Sequence, residues 1–242
     1  MAEETETNQE VFTIKALIAD IPVRRKALAR IFGRFRKPAF EAECLFEAES
    51  LEEEPEAELL AQTIQVLDAT RLAAYNSLST RYPAVSLDEI RVNCFRFCFN
   101  VDRKGVLGEL VPVDGAHVNH DEEALDLKTR WMLGEEVGAV LCFVKRRAYS
   151  IDHRRLALQR THVASHAVRS HPDLKWVTNL PILRRASSLP VGIVSVDGLK
   201  TEIDLNHLVS FLHPALIGHA ATIGGIWQNL RSSRVFIAKR KV

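Results

Sequence analysis

Trp176-Val177-Thr178-Asn179-Leu180-Pro181-Ile182-Leu183 and, beyond the Arg184 to Pro190 loop, Val191-Gly192-Ile193-Val194-Ser195-Val196 decide how the rest of the chain is read. Each run is apolar, rich in β-branched residues and of strand length, and turn-forming residues separate them, so the two are expected to be consecutive strands. Upstream, Arg91 to Asn100 is dense in Phe, Cys and Val, with Val92 and Cys94 and then Phe95, Phe97 and Phe99 in alternation. That spacing predicts a third strand. Asp102-Arg103-Lys104-Gly105 has turn chemistry, and Val106 to Val113 completes an antiparallel hairpin. Asp114 to Asp121 reads as a polar loop and Glu122 to Leu133 has helical composition.

Gly134 and Gly138 bracket a tight turn into the apolar Leu141-Cys142-Phe143-Val144. They form no phosphate loop, since the lysine and hydroxyl of a Walker motif and the third glycine of a dinucleotide fingerprint are missing. Arg154 to Ser170 is compatible with a helix. From Asp204 onward a final helix is expected, with Leu205, Leu208, Val209 and Leu212 on one side and a bend near Pro214. Ahead of the hairpin, Leu60, Ile64, Leu67, Ala74 and Leu78 mark one face of a long helix over residues 56–82, stopped by Pro83. The order helix, two strands, helices, two strands, helix predicts an α+β fold: a central antiparallel sheet flanked by helices, not a repeating βαβ sheet.

The stretch from about residue 56 to 227 resembles a GAF domain. The leading helix and the hairpin Arg91 to Val113 carry part of the resemblance. Gly134 to Gly138 leading to Tyr149, Ile151 and Asp152 is similar to the family's "G-x-x-G … D" passage, and the two runs quoted first are similar to its closing "xSxxxxPI" and "VxGVLxV" strands. The resemblance implies a sensory domain over residues 56–230 that takes up a small molecule, holds dimers together, or relays motion to an output partner. Residues 1–55 are then an N-terminal helical, charged extension and linker, and residues 231–242 a basic C-terminal tail.

Within the extension, Leu28, Ile31, Phe32 and Phe35 repeat at helical spacing among Arg24, Arg25, Lys26, Arg30, Arg34, Arg36 and Lys37. A basic amphipathic helix of this kind packs within the chain or between subunits, docks on a protein partner, or lies on an anionic membrane surface. Glu41, Glu43, Glu47 and Glu49, then Glu52 to Glu54, provide an acidic counterpart close by.

The whole chain of 242 residues carries a formal charge of +1, which gives no signal for nucleic acid. Its four cysteines, Cys44, Cys94, Cys98 and Cys142, form no CxxC pair and no zinc-finger spacing, and read as small buried hydrophobes in a reducing compartment. The polar, acidic Met1 to Glu10 is not a secretory signal, and a cytoplasmic location is expected. Val209 to Trp227 approaches membrane-span length, but His213, Pro214, His219 and three glycines favour a buried or kinked helix.

No metal site is expected: His162 and His166 lie four apart without the glutamate of an H-E-x-x-H pair, and His153 and His171 suggest solvated or capping roles. Nor is a catalytic residue expected. The free methionine sulfoxide reductases, enzymatic relatives of the resembled family, use cysteines near the penultimate strand, and Ser170 to Leu189 has none. The N-K-F-D-E-type motif of cyclic-nucleotide members is missing, and Cys142 lies in an apolar run unsuited to bilin attachment. No cofactor is named by these residues. If a pocket exists, the resemblance implies Tyr149, Asp152, His153, Trp176, Thr178 and Asn179: two rings for stacking, with Asp152, Thr178 and Asn179 for orienting hydrogen bonds. The other reading of the same residues puts Trp176 in the core and makes Asp152 a helix cap. Two functions follow: a cytoplasmic regulatory module that senses a small molecule or dimerises, its output passed to a partner; or a non-sensing scaffold that docks through the basic helix.

Overall fold

The computed structural model describes residues 42–102, 105–119, 131–132, 138–156, 173–184 and 190–240. It divides into two compact units. The smaller holds residues 1–46, 100–107 and 238–242, and its described residues are strand ends; the larger holds residues 47–99 and 108–237. The basic segment Arg24 to Lys37, His162, His166 and His171 fall outside the described residues.

Among the described residues eight strands run in chain order: β1 (Ala42–Leu51), β2 (Ile90–Asp102), β3 (Gly105–Val118), β4 (Trp131–Met132), β5 (Tyr149–Ile151), β6 (Trp176–Leu183), β7 (Pro190–Gly198) and β8 (Ser232–Arg240). Six form one sheet in the order β4-β3-β2-β7-β6-β5, and β1 pairs with β8 in a second sheet. The pairings β2 with β7, β7 with β6, β6 with β5 and β3 with β4 are all antiparallel. Three main helices accompany them: α1 (Ala57–Ser79), α2 (Gly138–Lys145) and α3 (Leu205–Asn229). The α+β class and the GAF-like order of a leading helix, a hairpin, two closing strands and a final helix are therefore present.

Several local expectations change. Residues Ala42–Leu51 are a strand where a helical, charged extension and linker is expected. Ser232–Arg240, within the segment read as a basic tail, is also a strand, and its Val235-Phe236-Ile237 centre has the composition for it. β3 continues to Val118 through the segment read as a polar loop. Gly115 there has φ +71°, which shifts the side-chain alternation so that Val113 and Ala116 both reach the core. Trp131–Met132 pairs with Leu110 and Glu109 as a strand, where a helix over Glu122 to Leu133 is expected.

The core lies where α1 and α3 cover one face of the sheet. Leu67, Ala74 and Leu78 of α1 and Leu208, Leu212, Leu216, Ala220, Ile223 and Trp227 of α3 are buried against Val92, Cys94, Leu180, Ile182, Val194 and Val196. Each large aliphatic side chain withdrawn from water here contributes about 1.5–3 kcal/mol. The helix approaches the sheet closely because Gly224 has no side chain: a Cβ there would stand 2.0 Å from the Leu183 carbonyl oxygen. Trp227 Nε1 donates to Thr63 Oγ1 at 3.2 Å, tying α3 to α1. The expected bend near Pro214 takes the form of a π-helical turn, Leu208–Leu212, after which Pro214 sits in the first turn of the regular stretch His213–Ile226, where its missing N–H costs little.

One buried carboxylate organises the loop after β7. Glu89 accepts hydrogen bonds from the Lys200 and Thr201 backbone N–H groups, at 3.2 and 2.9 Å, and from the Thr201 hydroxyl at 3.1 Å. Its second oxygen accepts from the Ser86 N–H at 3.2 Å.

Candidate functional site

Alternation along the strands divides the sheet into two faces. Trp176, Thr178, Leu180 and Ile182 of β6 point toward α1 and α3, as their packing shows. Val177, Asn179 and Pro181 point the other way, toward α2, where Gly138 lies against Asn179 and Ile151. Phe97 of β2 lies on that same side, its ring centroid 4.5 Å from that of Phe143 on α2.

Register then assembles a row that no local motif reveals. Asn93 is opposite Ser195, Ser195 opposite Asn179, and Asn179 opposite Tyr149. Residues directly opposite share a face, so the four side chains cross β2, β7, β6 and β5 in one line, roughly 14 Å long at about 4.8 Å per strand. Asn93 is 8%, Ser195 8% and Asn179 1% exposed. Among the described residues, nothing hydrogen-bonds Asn93 Oδ1 or Asn179 Oδ1, although both atoms are buried. A buried amide oxygen without a partner costs about 1–3 kcal/mol, so two in one row mark a place where polar groups are held ready without internal satisfaction.

The rows on either side differ in character. On one side Phe95, Ile193 and Pro181 form an apolar strip across the same strands. On the other, Arg91 and Asp197 are paired across β2 and β7, with Nε to Oδ1 at 2.8 Å and Nη2 to Oδ2 at 3.1 Å. This fork consumes both carboxylate oxygens and neutralises the pair. Next to it, Ile151, Leu156 and Leu174 make a small apolar cluster with Tyr149 and Val177 packed on it.

The six residues suggested by the sequence do not converge. Tyr149 and Asn179 share the row beneath α2. Trp176 is fully buried on the opposite face, pressed on Gly198, where a Cβ would stand 2.3 Å from the indole. Thr178 is on that opposite face as well, its Oγ1 2.8 Å from Ser150 Oγ. Asp152 caps a helical turn: its Oδ1 accepts from the Arg155 N–H at 3.0 Å, and its carbonyl accepts from the Leu156 N–H at 2.9 Å. His153 lies 3.3 Å from Glu202 through Nε2. Asn93 and Ser195 complete the row and were missed. The usable signal was parity: Trp176 and Thr178 alternate with Asn179 along one strand, so they cannot share its face.

The described thiols are withdrawn from thiolate chemistry in two cases. Burial pushes the Cys94 and Cys142 thiols well above their ordinary range, keeping them protonated. Among the described residues, no cluster of three or more His, Cys, Asp or Glu side chains is arranged to hold a metal ion.

No family model matches the chain, and no curated protein matches it. Solved structures do resemble it. A GAF domain/HD domain protein from Geobacter sulfurreducens is 10% identical over 71% of this chain and 98% of its own, with a TM-score of 0.42. The type II free methionine-R-sulfoxide reductase from Thermoplasma acidophilum is 15% identical over 69% of this chain and 93% of its own, with a TM-score of 0.41. The GAF domain region of a membrane protein from Geobacter sulfurreducens PCA is 17% identical over 70% and 97%, with a TM-score of 0.40. GAF domains and an enzyme stand side by side among these, and superpositions this loose transfer no residue and no activity. The site rests on strand register alone.

Proposed function

We propose that this chain is a regulatory module of GAF type that takes up a small molecule on the α2 face of its sheet and couples occupancy to assembly through α1 and α3. The observation that carries the first half is the row Asn93, Ser195, Asn179 and Tyr149, in which two buried amide oxygens have no partner among the described residues. A ligand that donates the missing hydrogen bonds would satisfy both groups.

The second half rests on the outer surface of α3. From Leu205 to Asn229 the helix contains no Asp, Glu, Lys or Arg. One side fills the core, and the other leaves Val209 and Ile217 each 46% exposed, while Leu72 on α1 is 50% exposed. The helix is long and apolar enough to meet the length and composition of a membrane span. Its buried stripe from Leu208 to Trp227 favours the packed core helix of a domain whose uncharged side meets a second copy. The basic segment Arg24 to Lys37 remains a proposed contact for a protein partner or an anionic membrane, and the cytoplasm the proposed location. Thiol chemistry of the reductase kind gains no support from Cys94 or Cys142, whose sulfurs are protonated and buried.

Native mass spectrometry of the purified full chain tests both halves together. A dimer carrying bound small-molecule mass, converted to monomer by Ile217→Arg, is the expected result. A monomer at micromolar concentration removes the assembly half, and an apo protein that binds nothing from a metabolite library removes the sensing half.

A further inference from the structure

Thr178, Ser150 and His213 form a file of polar side chains that leads from the interior of the sheet to the start of the regular stretch of α3. Thr178 Oγ1 lies 2.8 Å from Ser150 Oγ, and Ser150 Oγ lies 2.7 Å from His213 Nε2. Thr178 and Ser150 are opposite each other in the β5–β6 register and are 0% and 4% exposed, whereas the imidazole is only half-buried.

Counting hydrogens gives the file a direction. It has two gaps to bridge, Thr178 to Ser150 and Ser150 to His213, and each takes one hydrogen. With Nε2 bare, the two hydroxyl hydrogens fill both: Thr178 donates to Ser150, and Ser150 donates to the ring. With a hydrogen on Nε2, three hydrogens compete for two gaps. One hydroxyl is then left without an acceptor, because neither Thr178 nor Ser150 has another side-chain hydrogen bond among the described residues. A stranded donor so deep in the fold is penalised.

The surroundings supply no competing charge. From Leu205 to Asn229, α3 has no Asp, Glu, Lys or Arg, and its other titratable side chains are His207, bonded to the Tyr82 hydroxyl, and His219. β6 faces α3 with Trp176, Thr178, Leu180 and Ile182, and α1 turns Leu67, Ala74 and Leu78 to the same core. Tyr149 of β5 belongs to the α2 side, where Lys145 Nζ stands 5.7 Å from its ring centroid. Burial alone depresses the His213 imidazole.

We propose that Thr178, Ser150 and His213 are a proton-operated latch: the file holds α3 to the end strand β5 while His213 is neutral with its hydrogen on Nδ1, and proton uptake breaks the Ser150 link and turns the ring to solvent. The latch opens on acidification. It stands on this geometry and needs neither the sensing nor the assembly reading above.

Proton–nitrogen correlation NMR of the isotope-labelled full chain, followed through a pH titration, tests this. Above its midpoint His213 is expected as the Nδ1–H tautomer, the minor form of a free histidine side chain in water. The Ser150 and Thr178 amide signals are expected to move with the midpoint of the ring. Ser150→Ala removes the middle of the file, so protonation strands no further buried hydrogen and the midpoint rises toward the ordinary 6.5. Thr178→Val, close in shape, removes one hydroxyl and one gap together, keeps the surplus of one hydrogen and leaves the midpoint depressed. An Nε2–H tautomer in the unaltered chain overturns the latch, and that reading needs no variant to fold. A midpoint that Ser150→Ala leaves in place, or one that Thr178→Val raises as far as Ser150→Ala does, overturns it as well.

Discussion

Ser150 Oγ on the edge strand β5 lies 2.7 Å from Nε2 of His213 on α3, and the same hydroxyl reaches Thr178 Oγ1 at 2.8 Å, so a polar relay ties the last strand of the sheet to the helix that covers it. His213 is half-buried, and desolvation holds its imidazole below the ordinary value of about 6.5. The unfolded chain therefore takes up the proton first. The contribution to stability is complete above the unfolded value and is lost as pH falls from there toward the folded one. Urea unfolding of the unaltered protein should show a falling midpoint between about pH 7.5 and about pH 5.5, and His213→Gln should flatten that fall. Equal slopes in the two proteins would mean that His213 does not report on this relay.

Glu89 is the most heavily engaged carboxylate described, with three donors from Lys200 and Thr201 on one oxygen and Ser86 on the other. Glu89→Ala strands those donors in a buried setting and is expected to cost about 3 kcal/mol, while Glu89→Gln keeps the acceptor and costs less. Denaturant midpoints compared at fixed m-value decide between them.

Two glycines should respond in opposite directions. At Gly192 a Cβ would sit 2.2 Å from the Phe95 carbonyl oxygen, a backbone clash inside the β2–β7 pair. Gly192→Ala should destabilise by several kcal/mol or prevent folding, because the strand backbones cannot part locally. At Gly218, on the outer side of α3, a Cβ meets nothing within 4 Å. There alanine should stabilise the monomer by about 0.5–1 kcal/mol through helix propensity. Thermal melts at low and high protein concentration separate that gain from any loss of dimer contact at the same surface.

Thiol labelling supplies a fourth check. Cys94 and Cys142 are buried with raised pKa values, whereas Cys98 is partly exposed and hydrogen-bonds the Leu51 carbonyl oxygen at 3.8 Å. In the native protein a maleimide should reach Cys98 before Cys94 or Cys142, and those two should react only under denaturing conditions. Peptide mapping that finds Cys142 modified first would contradict the packing beneath α2.

What the sequence made legible was whatever is encoded locally. The run from Trp176 to Leu183 is one strand, and the run from Pro190 is its neighbour, because each is a short apolar stretch between turn residues. The stripe Leu67, Ala74, Leu78 marked α1 for the same kind of reason. The site was not legible in this way, since Asn93 and Ser195 are brought together by pairing across more than a hundred residues. Strands buried on both faces also hide parity. Phe95 and Phe97 belong to the α2 face and Val92 and Cys94 to the core face, yet all four are apolar, so hydrophobicity alone does not tell the faces apart.

The ends of the larger unit meet. The Glu52 N–H donates to the Arg231 carbonyl oxygen at 3.1 Å, and the Arg231 N–H returns a bond to Glu53 Oε2 at 3.2 Å. A unit whose way in and way out are stitched side by side can be spliced into an exposed loop of another protein without spreading the host's chain. It also means that tension applied through β1 and β8 would load the pairing of those two strands and then that stitch, leaving the helices and the row beneath α2 undisturbed until both give way.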